Sequence, residues 1–365
     1  MKTSVQLPEN YDPRFGSGPS KVPTRFIEQL LETQPHYLGT SHRRPMVVSL
    51  VQELHENLRS FFELPADFEI LIGNGGASFF FDMIGLGLVE KKSHHFCMGE
   101  FSHKWLKAHQ NIPWIETEVS EVDYGKGIEV TAVDADTICC TLNETSTGVI
   151  TKSFPKVDRH TLLAVDATSG SGQVPCDISK VDVYFFGPQK VFASEGGTYL
   201  AFLSPKAIAR AQKIAKSNRY IPTIMDFAKT LEFSKKFQTL NTPSLSTLFY
   251  LNCELTELNA RGGYPNLLKE AREKADLIYS WAEKHPKLRP LVDEPSFRST
   301  ACATLLVDES IDLKSILDQL RGEKLVYDIE GYRKVETQHI RIGLFDQISL
   351  QDLKGLTDIL SLYMT

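Results

Sequence analysis

Apolar residues first recur at helical spacing after Pro45, where Val51, Leu54, Leu58 and Phe62 mark one face of VQELHENLRSFF and predict an amphipathic helix. The period then changes. Short runs rich in β-branched and aromatic residues (FEILIG, TICCTL, TLLAVD, VDVYFFG, TYLAFL) are separated by stretches long enough for helices or crossovers, so the middle of the chain reads as α/β. Ser204 and Pro205 combine a cap with a first-turn proline ahead of KAIARAQKIAK. From Tyr264 to His285 a long helix is predicted, with Leu268, Ala271, Ala275, Ile278 and Ala282 on one face and Glu270 four residues before Lys274 as an ion pair along the helix. The end of the chain mixes strand-like ACATLLV and IRIGLF with helical SIDLKSILDQL and LQDLKGLTDILSLY, the pattern of a small α+β unit packed on a larger one. The predicted division is a large domain over residues 17–255 and a small C-terminal domain over 256–365, with segment 1–16 packing near the latter.

Composition narrows the function. Forty Lys and Arg against 46 Asp and Glu leave a net charge of −6, so neither nucleic acid nor an anionic membrane is an expected partner and any basic chemistry must be local. No apolar run reaches the ~18 residues of a membrane helix, and MKTSVQLPENYDPRF lacks the hydrophobic stretch of a signal peptide, which makes the cytoplasm the expected location. The six cysteines have no CxxC spacing and read as reduced packing residues; the histidines show no HExxH pattern, and no metal is expected.

The candidate chemistry lies in AVDATSGSG and VDVYFFGPQKVFASEGG, which place Asp166 at one strand end and Lys190 just beyond another. Ligands of α/β sheets gather outside the carboxyl ends of strands, so the two can face one pocket. A lysine amine can condense with an aldehyde, and an aspartate can pair with a protonated pyridine nitrogen, which together suggest pyridoxal phosphate. Taken singly, such an aspartate also reads as a helix cap and a loop lysine as a solvated charge. The position of Lys190 between apolar VYFFG and the pair Gly196 and Gly197 favours the cofactor lysine. GNGGAS, residues 73–78, adds a glycine-rich turn into the helical FFFDMIGLGL, where the amides of Ala77 and Ser78 and the Ser78 hydroxyl could hold a phosphate.

Ordered blocks along nearly the whole chain resemble the phosphoserine aminotransferases, class-V enzymes of the fold-type-I pyridoxal phosphate transferases, in their actinobacterial branch: RFGSGPSKV, GTSHR, GNGGAS, GEFS, NETSTGV, VDATSGSG, PQKVFASEGG, QTLNTP and YRK. The resemblance implies a large domain with a mostly parallel mixed sheet and a smaller α+β domain. It implies that Lys190 carries the cofactor, Asp166 pairs with its ring nitrogen, Thr145 bonds its ring hydroxyl and Phe101 stacks on the ring, where the family often has tryptophan. Ala77, Ser78 and Gln189 would bind the phosphate from one subunit and Asn241 and Thr242 from the partner of a homodimer; other branches carry arginine where Ser78 stands.

For substrate, the resemblance implies Arg341 on the α-carboxylate, Arg333 adding charge nearby, His42 and Arg43 of the other subunit on the distal phosphate or γ-carboxylate, and Ser17 assisting. The expected reaction moves an amino group between L-glutamate and 3-phosphohydroxypyruvate, giving O-phospho-L-serine and 2-oxoglutarate in serine biosynthesis. A related phosphorylated acid of vitamin B6 biosynthesis, 3-hydroxy-2-oxo-4-phosphonooxybutanoate, is a second expected substrate. Three alternatives remain at this stage: an aminotransferase for unphosphorylated glyoxylate or pyruvate, a cysteine desulfurase, for which none of the cysteines lies in an obvious glycine-rich loop, and a scaffold that only binds.

Overall fold

The computed structural model describes residues 6–364. The predicted strand runs form strands, and so do five segments without a strand-like run. In chain order the strands are β1 (Glu69–Asn74), β2 (Lys92–Cys97), β3 (Glu116–Glu121), β4 (Thr137–Thr141), the two-residue β5 (Asn143–Glu144) and β6 (Val149–Ile150), β7 (Leu162–Asp166), β8 (Val183–Phe186), β9 (Thr198–Leu203), β10 (Leu288–Pro290), β11 (Cys302–Val307) and β12 (His339–Gly343). The helices are α1 (Thr24–Glu32), α2 (Pro45–Phe62), α3 (Ala77–Gly87), α4 (Glu100–Gln110), α5 (Pro205–Ala215), α6 (Phe227–Ser234), α7 (Leu245–Ala260), α8 (Gly263–Lys284), α9 (Leu313–Gly322) and α10 (Leu350–Tyr363). None is long and apolar enough to cross a membrane among the described residues.

Seven strands make one sheet in the order β1-β9-β8-β7-β4-β2-β3. The pairs β2·β3, β2·β4, β4·β7 and β7·β8 are parallel, while β9 runs antiparallel to both β8 and β1. The carboxyl ends of β1, β2, β4, β7 and β8 therefore open on one edge. Helices cover both faces: α2 and α7 bury Leu54, Leu58, Leu251 and Leu255 on one side, and α3, α4, α5 and α6 bury Phe80, Trp105, Ala207 and Phe227 on the other. Burial of both faces explains the continuous apolar runs of β4, β7, β8 and β9.

The two strands of this sheet without such a run have separate causes. ETEVSE of β3 is the sheet edge and mostly exposed, where charged side chains guard unpaired backbone. KSHHFC of β2 is central, and its buried polar side chains are paired instead, Ser93 with His95 at 3.1 Å and His94 with Ser120 at 2.9 Å.

A second sheet, β10-β11-β12, packs with α8 and α10 around Ala275, Ile278, Ile340, Ile342, Leu353 and Leu356. Phe15 joins this cluster, and its carbonyl accepts from Gly343 N at 2.7 Å. Ser204 caps α5 by accepting from Ala207 N, with Pro205 next. The stripe predicted for α8 is buried at Ala271, Ala275, Ile278 and Ala282, but at its start Leu267, not Leu268, is buried. The Glu270–Lys274 pair is also replaced. Lys274 is buried against the loop before α10 and donates to Phe345 O and Asp346 O at 3.1 and 2.9 Å, while Glu270 faces Arg261 and Asn266. Because α8 is covered by neighbours on this side, the lysine is satisfied across the interface rather than along the helix.

Candidate active site

The strand edge carries a cavity of about 260 Å³ lined by Gly76, Ala77, Ser78, Phe79, Phe81, Phe101, Asn143, Thr145, Asp166, Thr168, Ser169, Gln189 and Lys190. Seven of the residues expected at the cofactor meet here: Ala77, Ser78, Phe101, Thr145, Asp166, Gln189 and Lys190.

Lys190 follows β8 in a tight loop. Its Nζ donates to Ser17 O at 3.1 Å, and burial pushes its ammonium down to about 8, with Arg341 adding to the shift and the neighbouring Cys302, Asp166 and Glu144 opposing it. Gly18 makes that approach possible: its φ is +124°, and a Cβ there would stand 2.6 Å from Lys190 Nζ. Ser17 thus meets the lysine through its main chain, while its buried hydroxyl lies by Cys302.

Asp166 ends β7. Its Oδ1 accepts from Thr168 N at 2.9 Å and from the Thr168 hydroxyl, yet burial still pushes the carboxyl up to about 6. A cation on the facing ligand atom would relieve this strain on the charged form. Thr145, in the turn between β5 and β6, donates its hydroxyl to Ser169 Oγ at 2.7 Å.

Phe101 stands in the first turn of α4, with Lys190 Nζ 5.7 Å from its ring centroid. The side chain that fixes this turn is Glu144, fully buried, whose carboxylate accepts from Phe101 N at 3.1 Å, from Ser102 N at 3.0 Å and from the Ser102 and Ser146 hydroxyls at 2.9 and 2.7 Å. A carboxylate under a helix N terminus satisfies orphan amides and complements the helix dipole. Gly99 is required for it, since a Cβ there would come within 2.7 Å of Glu144 Cγ. Glu144 sits inside the NETSTGV block, so its position was marked but its task was not.

The GNGGAS turn leads directly into a helix. Helix α3 begins at Ala77, its N-cap is Gly76 without any side-chain cap, and a Cβ on Gly76 would meet nothing within 4 Å. Gln189 Oε1 and Asn143 Oδ1 are buried without partners. An amine depressed by burial, a buried carboxylate and an uncapped helix start make a set of groups that fits pyridoxal phosphate.

The residues expected at the substrate are more scattered. Arg341, on β12, donates to Thr145 O at 3.3 Å and to Glu330 O at 3.4 Å, and no carboxylate pairs with it among the described residues. Arg333 is exposed and lines a separate hollow under α9 rather than the Lys190 cavity. His42, Arg43, Asn241 and Thr242 lie elsewhere: His42 Nδ1 is 3.2 Å from Thr242 Oγ1, and Arg43 donates to Gln238 Oε1 at 2.7 Å. Thr242 O accepts from Asn74, at the strand end that leads into the cradle. None of these four lines the cavity of its own chain.

One buried cluster of possible metal ligands exists among the described residues, His95, His109 and Cys139. Its nitrogens are already engaged: His95 Nε2 lies 3.1 Å from His109 Nδ1, the Ser93 hydroxyl reaches both, and Trp105 Nε1 donates to His109 Nε2 at 3.1 Å. Burial keeps both imidazoles neutral, His109 being pushed down to about 4. All six cysteines are free thiols.

The family model for aminotransferase class-V matches residues 14–325. A phosphoserine aminotransferase from Corynebacterium glutamicum (strain R) is 39% identical over 357 residues, covering 96% of this chain and 95% of that protein. One from Nocardioides sp. (strain ATCC BAA-499 / JS614) is 37% identical, covering 98% of this chain and 97% of its own length. Among solved structures, a phosphoserine aminotransferase from Cytophaga hutchinsonii superposes with a TM-score of 0.86 at 26% identity, over 95% of this chain and 97% of the other.

Proposed function

This chain belongs to the aminotransferase class-V family, and from that premise we propose that it is a pyridoxal phosphate-dependent phosphoserine aminotransferase. It moves an amino group reversibly between L-glutamate and 3-phosphohydroxypyruvate, giving O-phospho-L-serine and 2-oxoglutarate. The reading extends to 3-hydroxy-2-oxo-4-phosphonooxybutanoate, which presents the same phosphate and carboxylate ends. The observation that carries it is one arrangement: Lys190, whose ammonium burial holds down to about 8, beside the buried carboxyl of Asp166 and an Arg341 that no carboxylate neutralises.

When bound, pyridoxal phosphate supplies an aldehyde for the amino group and a ring that accepts the electron pair left at Cα. Lys190 Nζ holds the cofactor; once displaced, the depressed amine is the base that takes the α-proton and returns it on the other side of the transfer. Asp166 favours the protonated ring nitrogen by placing a carboxylate against it in a site of low polarity. Ala77, Ser78 and Gln189 would hold the cofactor phosphate, Thr145 would bond the ring hydroxyl and Phe101 would pack against the ring. Arg341 orients the α-carboxylate in the two-pronged manner of guanidinium, and Arg333 adds positive charge at the mouth.

We read His42, Arg43, Asn241 and Thr242 as contributions to the site of a second copy in a cytoplasmic homodimer. The His42–Thr242 contact, and the absence of all four from the cavity of their own chain, support this. Exposed Leu31, Leu38 and Met46 flank the same segment and supply apolar surface for a partner.

The visible absorbance of the loaded enzyme tests the reading. The cofactor band should bleach on adding L-phosphoserine and persist with L-alanine. Equal bleaching by alanine would leave a general class-V transaminase, and no band after cofactor addition would remove the enzyme reading.

A further inference from the structure

The segment that carries Arg333 is tied at both ends. At its base His339 Nδ1 lies 2.6 Å from Thr337 O and its Nε2 accepts from Tyr332 N at 2.7 Å, so a single neutral tautomer closes the loop. At its tip the Tyr332 ring meets Phe101 edge-on with centroids 5.9 Å apart, and its hydroxyl accepts from Lys104 at 3.3 Å. Beyond Arg333, Lys334 Nζ donates to Glu100 Oε2 at 2.6 Å, and the second oxygen of Glu100 accepts from the Tyr124 hydroxyl.

We infer that the Glu100–Lys334 ion pair is a clasp that holds the loop of Tyr332 and Arg333 against Phe101 at the Lys190 cavity, making both positioning residues for anionic substrate. The pair is unlike an ordinary surface bridge. The Glu100 side chain is only 10% exposed, against 50% for Lys334, so one partner is already fixed by Tyr124 and by its place in the first turn of α4. Glu100 precedes Phe101 and Lys334 follows Arg333, so the bond ties the segment of Phe101, which lines the Lys190 cavity, to the segment of Arg333, which on the proposed reading supplies charge to the substrate. With the clasp broken, Arg341 on its strand and Lys190 on its loop stay in place while Arg333 is free to swing away. The loss then falls on substrate affinity rather than on the chemical step.

The inference rests on reading Arg333 and Arg341 as substrate cations, and the test separates the two ideas. Loaded wild-type enzyme is assayed with glutamate and phosphohydroxypyruvate, glyoxylate or pyruvate, and K334Q is compared with its best acceptor. K334Q should raise KM about fivefold with kcat within about twofold, the size expected of a partly buried ion pair. Its KM should also vary less with salt, and the reversed pair E100K/K334E should recover most of the loss. A wild-type KM in K334Q, or a fall in kcat at unchanged KM, overturns the clasp. Because Lys334 is half-exposed, K334Q decides the matter even where an E100K variant fails to fold, which the cofactor band and the melting temperature reveal. A wild-type enzyme that prefers glyoxylate overturns the substrate reading instead, and the KM ratio measured with glyoxylate still decides the clasp.

Discussion

The floor of the cavity and its mouth are built on different principles. On the floor, Asp166 ends a buried central strand, Lys190 sits in a loop pinned by Ser17, and Phe101 rides on a helix start held by the buried Glu144. Each group is positioned by sheet or helix ends whose backbone is already satisfied. The residues proposed for the mouth are held otherwise: Arg333 lies on an exposed loop, and His42 and Arg43 lie on a turn between helices, where His42 meets Thr242 and Arg43 donates to Gln238. A site that does chemistry on a bound ring needs fixed geometry, whereas one that admits and releases charged acids needs parts that can be moved at small cost. The two regions should therefore respond differently to perturbation: changes on the floor strike kcat, and changes at the mouth strike KM.

The sharpest break of this contrast is at Lys190. Lys190→Ala should lower turnover by about a thousandfold or more, since no other described amine lines the cavity. Steady-state assay of the loaded variant checks it, and retention of full turnover would end the aminotransferase reading. Asp166→Asn should cost on the order of a hundredfold in kcat with a smaller change in KM, because the amide cannot hold a proton on the ring nitrogen.

The mouth gives smaller effects of the other kind. Arg341→Ala should raise KM for glutamate by about 30-fold, and Arg333→Ala by about fivefold, the difference reflecting a strand-held against a loop-held guanidinium. Equal losses at the two positions would blur the distinction between them. If the His42–Arg43 turn serves a second subunit, mixing Lys190→Ala and Arg43→Ala proteins through dissociation and reassembly should restore about a quarter of wild-type turnover, from hybrid dimers with one intact site. No recovery would place Arg43 in its own chain's site or outside any.

The pH behaviour of cofactor-free protein sharpens the account of the floor. Lys190 is pushed down to about 8 by burial, so the folded state releases this proton before the unfolded chain does. Its burden on stability is present below about pH 8 and is relieved as pH rises towards the ordinary lysine value. Asp166, pushed up to about 6, acts with the opposite sign: the folded state keeps a proton the unfolded chain has lost, so stability falls as pH rises from about 4 to 6. Melting temperature against pH should show both slopes without cofactor and weaker ones with it. The rate of uptake of pyridoxal phosphate should rise about tenfold between pH 7 and 9 as the neutral amine forms.

Much of this was legible in the pattern of residues. Apolar runs placed β1, β4, β7, β8 and β9, because burial on both faces of a parallel sheet leaves few polar positions. Strand ends followed by GNGGAS, by DATSG and by PQK placed the cavity lining. The strands β2 and β3 were hidden, one by internal pairing of its histidines and serine and the other by the polarity of an edge. Lys274 was misplaced for a related reason: helical spacing offers Glu270 as a partner, but not the two carbonyls that the neighbouring loop brings closer.

The sequence by itself thus determined the alternation of strands and helices, the lysine and aspartate at strand ends and the glycine turn that leaves a helix start uncapped. These are local matters, set by side-chain period and backbone freedom over a few residues. Only the tertiary structure decided that Glu144 reaches under α4 to hold Phe101, that Gly18 yields its space to Lys190, and that Lys334 meets Glu100 across 234 positions of chain. Such contacts depend on which surfaces the folded sheets bring together, and no period along the chain encodes a distance across it.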